Sequence, residues 1–165
     1  MVEPEVTIGT ERLFEAGRMS VRADRVRFAD GSESTKYVID LPEVAVIVAV
    51  DSDASLLLVR QYRTATGRDT LELPAGAMEP GERPGEAAQR ELREETGHSA
   101  SQLAEMGAFY SAPGTISELV HAILATGLAK DPLPDDDDER IVLELRDGKT
   151  LAALLLAERH LEAGT

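Results

Sequence analysis

The sequence predicts a mixed α/β protein, and three observations carry that reading. Val44–Val50 is a nearly continuous apolar run, the pattern of a strand buried on both faces. Residues 84–97 carry strong helix signals at both ends and between them. The chain before Pro42 divides into short segments of strand character around a turn.

In chain order, strands are predicted around Val6–Phe14, Met19–Phe28 and Thr35–Asp40, with Asp30-Gly31 as the hairpin turn between the second and third. Val44–Val50 follows, and Asp51-Ser52-Asp53 turns the chain into a strand over Leu56–Tyr62. Thr64–Asp69 reads as a loop, and Thr70–Leu73 as a short strand that leads into Pro74-Ala75-Gly76. The helix begins at Pro84, whose missing N–H costs nothing in a first turn. Ala87, Ala88, Gln89 and Leu92 favour helix, and Gly97 suits a left-handed stop. Strands near Ala104–Tyr110 and Leu119–Thr126 come next, then a loop over Ala129–Arg140, an alternating segment Ile141–Leu145 and an apolar helix Thr150–Leu161. The expected division is an N-terminal β-region over residues 1–42 and a main domain over 43–165.

At 165 residues and 42% hydrophobic, the chain is long enough to bury a core. The formal charge of −14 argues against nucleic acid or an anionic membrane as a general partner, since both call for basic patches. The absence of cysteine rules out disulfide and thiolate chemistry. No apolar run reaches the 18 or so residues a bilayer span needs, and no early run resembles a signal peptide, so cytoplasm is the expectation.

The chemistry concentrates in residues 76–98. Glu82, Glu86, Glu91, Glu94 and Glu95 stand with Arg90 on and just before the short helix. Helical spacing stacks Glu91 over Glu95 with Glu94 beside them, while Ala88 and Leu92 face the core. Arg90 has Glu86 and Glu94 within four-residue reach. Like charges at this spacing destabilise a bare helix by a few tenths of a kcal/mol, and a divalent cation would remove the conflict. A solvated acid-rich surface helix is the alternative.

The pattern Gly-x5-Glu-x7-Arg-Glu-apolar-x-Glu-Glu-x-Gly, met by Gly76, Glu82, Arg90, Glu91, Leu92, Glu94, Glu95 and Gly97, resembles the signature of the Nudix hydrolases. The departure is His98, where the family has an aliphatic residue. The resemblance implies an α/β/α sandwich with a mixed sheet. The extra N-terminal strands resemble those of the ADP-ribose pyrophosphatase branch, in which they build a homodimer and contact substrate.

Further segments resemble that branch. Gln61-Tyr62-Arg63 and Leu71-Glu72-Leu73-Pro74-Ala75-Gly76 are similar to its "EQYR" and "ELPAG" motifs. They imply a phosphate-binding role for Arg63; a surface arginine is the alternative. Glu72 reads either as a substrate contact or as half of a buried ion pair with Arg63. Pro113, followed by Gly114, lies sixteen residues beyond Gly97, where the branch has a proline that marks a preference for ADP-ribose. Glu118 matches an acid near the terminal ribose or the metals, with a strand-end carboxylate as the alternative. Asp137 and Glu139, within Asp135–Asp138 and its flank, match the acidic loop that supplies the general base; which of the two serves stays open. Phe28 and Tyr37 are the aromatic candidates to support adenine, or else pack within the sheet.

The implied metal ligands are Glu91, Glu94, Glu95, Glu139 and the carbonyl of Ala75, with Arg90 and Glu94 also in the catalytic set. The implied cofactor is Mg²⁺, with Mn²⁺ or Zn²⁺ as alternatives, since Mg²⁺ takes oxygen ligands at about 2.1 Å. The implied reaction is hydrolysis of ADP-ribose to AMP and ribose 5-phosphate. Another nucleoside diphosphate sugar such as GDP-mannose, and a catalytically silent nucleotide-binding regulator of the same fold, remain alternatives.

Overall fold

The computed structural model describes residues 5–131 and 148–163. Asp137, Glu139 and the strand expected over Ile141–Leu145 lie outside the described residues. The chain forms two compact units, Met1–Pro42 with Tyr110–Leu119, and Glu43–Phe109 with Val120–Thr165.

The first unit is an antiparallel sheet in the order β1-β2-β3, with β1 at Val6–Ala16, β2 at Met19–Arg27 and β3 at Glu33–Asp40. Gly31, at φ 84°, sits in the β2–β3 turn and donates its N–H to the Phe28 carbonyl. That conformation is open to glycine without a Cβ penalty. The segment Tyr110–Leu119 runs along the end of β3: Ile39 N–H donates to Thr115 O, and Ser117 N–H donates to Ile39 O. Arg22 is held between Asp24 and Asp40, and Thr10 donates to Asp24 at 2.8 Å.

The second unit is built around the mixed sheet β7-β4-β9-β8. All six residues of β4 (Val44–Ala49) are buried, as the apolar run predicts. It pairs parallel with β9 (Leu119–Lys130) and antiparallel with β7 (Ala75–Ala77). Strand side chains alternate between faces. Val44, Val46 and Val48 therefore join Ala153 and Ala157 of α2 (Gly148–Ala163) in one core. Ala45, Ile47 and Ala49 join Ala87, Ala88 and Leu92 of α1 (Pro84–Thr96) in the other. These two cores make the α/β/α sandwich.

Several boundaries differ from the sequence expectation. The loop expected over Thr64–Asp69 closes earlier: β5 (Val59–Arg63) and β6 (Arg68–Glu72) form a tight hairpin, with Gly67 at φ 65°. Leu56 makes only an isolated bridge to Val50, so β5 starts later than predicted. β8 (His98–Tyr110) begins at His98, because pairing in the sheet extends the strand through the polar stretch Ser99–Gln102. Strand β9 likewise continues to Lys130, past the start of the loop expected from Ala129.

The passage from β6 to β7 depends on three elements for its backbone bonds. Leu73 N–H donates to Thr150 Oγ1 of α2 at 2.9 Å, Pro74 O accepts from Ile47 N–H, and Ala75 N–H donates to Glu95 Oε2 of α1. Thr150 is fully buried. Thr150→Val keeps the shape but leaves the Leu73 N–H without this acceptor, so a loss of about 1–3 kcal/mol is expected from urea unfolding. Thr150→Ser, which keeps the hydroxyl, should lose less.

Candidate active site

Helix α1 starts where the sequence places it. Pro84 opens the first turn, and Glu86 accepts the Arg83 N–H at 3.0 Å. Gly97 closes the helix at φ 63° and donates to Arg93 O. Ala88 and Leu92 point into the core, which turns Glu91 and Glu95 toward β7 and the β5–β6 hairpin.

Arg90 gathers the loop and the helix together. It donates to both oxygens of Glu82 at 3.0 and 2.9 Å, to Glu91 Oε1 at 2.6 Å, to Glu94 Oε2 at 3.2 Å and to the Ala77 carbonyl at 3.2 Å. Of the two four-residue partners expected for it, Glu94 is engaged; Glu86 bonds Arg83 instead. The Arg90 guanidinium holds the Glu82 carboxyl below the usual carboxylate range. These bonds raise the Arg90 pKa, Glu82 contributing most.

Glu91 is buried and lies over Gly76. A Cβ at position 76 would fall 2.0 Å from Glu91 Cδ and 2.1 and 2.2 Å from its oxygens. The glycine is thus needed for close approach, not for an unusual φ. Glu95 accepts from Gln61 Nε2 at 2.7 Å and from Ala75 N–H at 2.9 Å. Burial pushes the Glu95 carboxyl up, those two bonds oppose the shift, and the nearby Glu91 charge adds to it. Glu94 is exposed and accepts from Arg90 Nη1.

Arg63 makes a two-point ion pair with buried Glu72, at 2.9 and 2.5 Å. Thr70 Oγ1 lies 2.5 Å from Glu72 Oε1. The Arg63 bonds, then the Thr70 hydroxyl, hold Glu72 below its ordinary value against the effect of burial. The buried ion pair with Arg63 foreseen for Glu72 is thus present. His98, at the departure from the motif, is half-buried with Nδ1 2.6 Å from Thr96 O.

Among the described residues, no group of three or more Asp, Glu or His side chains is gathered to hold a metal ion. The expected set is only partly assembled: Glu91 and Glu95 neighbour each other, while Glu94 is turned to Arg90. The donors still fit a hard divalent cation. They are all oxygens, the Gly76 backbone leaves room under Glu91, and the Glu91 charge lies close enough to raise the cost of ionising Glu95.

In the first unit, Pro113 and Gly114 line a cavity of about 300 Å³ with Arg22, Val38, Tyr110 and Thr115–Ser117. Glu118 is buried in that unit. Phe28 is half-buried with Lys36 Nζ 5.6 Å from its ring centre, and Tyr37 is 62% exposed.

Sequence reasoning missed Gln61 as a partner of Glu95. Strand alternation puts residues 61 and 63 on the same side of β5, but nothing in the sequence marks the contact with Glu95 itself.

Comparison with known proteins bears on the site. A model of the NUDIX domain matches residues 41–161. An ADP-ribose pyrophosphatase of Bacillus subtilis (strain 168) is 33% identical over 154 residues, covering 93% of this chain and 83% of that protein. An ADP-ribose pyrophosphatase of Mycobacterium tuberculosis (strain H37Rv) is 38% identical over 134 residues, covering 81% of this chain and 65% of that protein. A crystal structure of an ADP compounds hydrolase superposes with a TM-score of 0.82 at 24% identity, covering 99% of this chain and 97% of the other, which establishes likeness of fold.

Two outcomes are expected from these contacts. Gly76→Ala should fold, because the clash is with the end of a flexible side chain, but it should displace the Glu91 carboxylate and remove any Mg²⁺-dependent rise in Tm. For Glu72, the folded-state pKa lies below the ordinary value of 4.5, so its stabilisation is complete above that pH and lost as pH falls through the lowered value. The stability difference between wild type and Glu72→Gln should be about 1–3 kcal/mol at neutral pH and should shrink below about pH 4 in urea titrations.

Proposed function

The chain belongs to the NUDIX domain family, and from that premise we propose that it hydrolyses the pyrophosphate bond of ADP-ribose, giving AMP and ribose 5-phosphate with Mg²⁺. The observation that carries the reading is the Glu91 carboxylate seated over a side-chain-free Gly76, one helical turn from a half-buried Glu95. A solvated acidic surface has no use for that close approach. Two relatives named as ADP-ribose pyrophosphatases support the substrate class.

Glu91, Glu94, Glu95 and the Ala75 carbonyl would hold the cation. Bound there, Mg²⁺ supplies charge neutralisation for the diphosphate and a lowered pKa for coordinated water. Arg63, its plane fixed by Glu72, would bind phosphate oxygens, for which a planar guanidinium is suited. Arg90 would keep Glu91 in place from behind. In the hydrolysis, water would add to one phosphorus, the bridging P–O bond would break with its electron pair passing to the leaving phosphate, and an acidic residue beyond β9 in the sequence, as its carboxylate, would take the proton. Asp137 and Glu139 are the two candidates for that acid. Phe28 or Tyr37 would support the adenine, and Pro113, Gly114 and Glu118 the ribose side. The proposal includes a homodimer through the N-terminal β-region, where Val6, Leu13 and Phe14 of β1 stand exposed.

The test is a panel of ADP-ribose, GDP-mannose, other nucleotide sugars, NADH and dinucleoside polyphosphates, assayed with Mg²⁺ and Mn²⁺. ADP-ribose should give the highest kcat/KM, and Glu95→Gln should lower it by orders of magnitude with the fold intact. A higher value for GDP-mannose would move the specificity to another sugar. Magnesium-dependent stabilisation without hydrolysis of any member would identify a regulator instead.

A further inference from the structure

Helix α1 and the β5–β6 hairpin meet at a polar contact within the second unit: Gln61 Nε2 donates to Glu95 Oε1 at 2.7 Å. Glu95 Oε2 is held by the Ala75 N–H at 2.9 Å. The two oxygens are thus fixed by donors from different elements, β5 on one side and the start of β7 on the other. A glutamate has three side-chain torsions, and unbonded it would sample several of their staggered wells. Two bonds to separate oxygens define both the position and the plane of this carboxylate. Gln61 is itself steadied: it pairs with Thr70 across the hairpin. Two residues further along the same strand, Arg63 is locked to Glu72. The amide is also the right chemical choice. It donates without carrying a charge, so it orients the acid without competing with a cation for it.

We propose that Gln61 is a positioning residue for metal binding: it orients the Glu95 carboxylate so that Glu91 and Glu95 meet a divalent cation as a preset pair. This rests on the metal-dependent reading above and adds to it a residue that touches neither cation nor substrate. Partners of this kind typically alter metal affinity by about 10- to 100-fold when removed.

The experiment is a Mg²⁺ titration of the intact, substrate-free protein, followed by isothermal calorimetry and by Tm. Gln61→Met keeps the length and flexibility of the side chain and removes the donor. Gln61→Ala is the second variant, in case the thioether disturbs packing. The expected result in either folded variant is Mg²⁺ affinity about 10- to 100-fold weaker, with the metal-free Tm nearly unchanged. Unaltered Mg²⁺ affinity in a folded variant would overturn the role of Gln61. So would a fall in metal-free Tm with affinity intact, which marks a structural contact. Wild-type protein that binds no Mg²⁺, with or without ADP-ribose, would overturn the site reading as well. Wild-type binding that Glu95→Gln abolishes but the Gln61 variants retain would overturn this proposal alone.

Discussion

The close packing of acids around Arg90 is the constraint from which the rest of the site follows. Four carboxylates, Glu82, Glu91, Glu94 and Glu95, come from one loop and one short helix, and three of them bond a single guanidinium. Each like-charged pair on a helix face is a small penalty, but with Glu91 buried and Glu95 half-buried, less water is left to screen it. Arg90 offsets that penalty with five N–H donors in a fixed plane. It also accounts for the shape of the loop between β7 and α1. Glu82 accepts from Arg90 and from the Glu79 N–H, and Arg90 donates to the Ala77 carbonyl, so both ends of the loop are tied to one turn of the helix. Removing one partner of such a set leaves charges uncompensated, which is costlier than never having had the set.

The sandwich places this turn of helix against β7. Small residues decide the distance: Ala45 and Ala49 of β4, Ala125 of β9, and Ala87 and Ala88 of α1 all lie in one core. Larger side chains there would lift the helix from the sheet, and Glu91 would no longer reach the Gly76 backbone. Register matters equally, because a one-residue slip of β4 would exchange its two faces. It would then bring Val44, Val46 and Val48 under α1 and place the alanine face beneath α2. The chemistry of the acids thus depends on apolar residues that touch none of them.

Where local signals and tertiary demands agree, the sequence was readable. Pro84, Gly97 and the spacing of Ala88 and Leu92 mark α1 without reference to the sheet. The apolar run of β4 has the length and β-branched content of a doubly buried strand, and all six of its residues are buried. The hairpin at Gly67 was obscured, because Thr64-Ala65-Thr66-Gly67-Arg68-Asp69 has the composition of a longer loop and only cross-strand pairing of Arg63 with Arg68 shortens it. Strand β8 was underestimated at its start for a related reason: Ser99 to Gln102 have no periodicity of their own. Within the site, the acids announced themselves by spacing, whereas Gln61 did not. A glutamine in a strand has no signature, and its role exists only once β5 lies beside α1.

Arg63 is the residue for which sequence and structure must be weighed together. Its alternatives were a phosphate ligand and an unremarkable surface arginine, and those of Glu72 a substrate contact and a buried ion pair. The geometry joins the two: Nε and Nη2 of Arg63 bind both oxygens of Glu72, whose burial leaves it no aqueous substitute for that partner. Such a pair does not exclude anion binding. A guanidinium held flat by a carboxylate at one edge has lost most of its rotamer freedom, so less entropy remains to be lost when an anion meets another edge. The Arg63 side chain stays 44% exposed while Glu72 is nearly covered, which is the asymmetry expected of an arginine anchored from below and presented outward. The Glu72 pair and the Glu95–Gln61 bond come from the same hairpin. A single two-stranded element therefore orients both the cationic and the anionic groups that a diphosphate and its counter-ion would need.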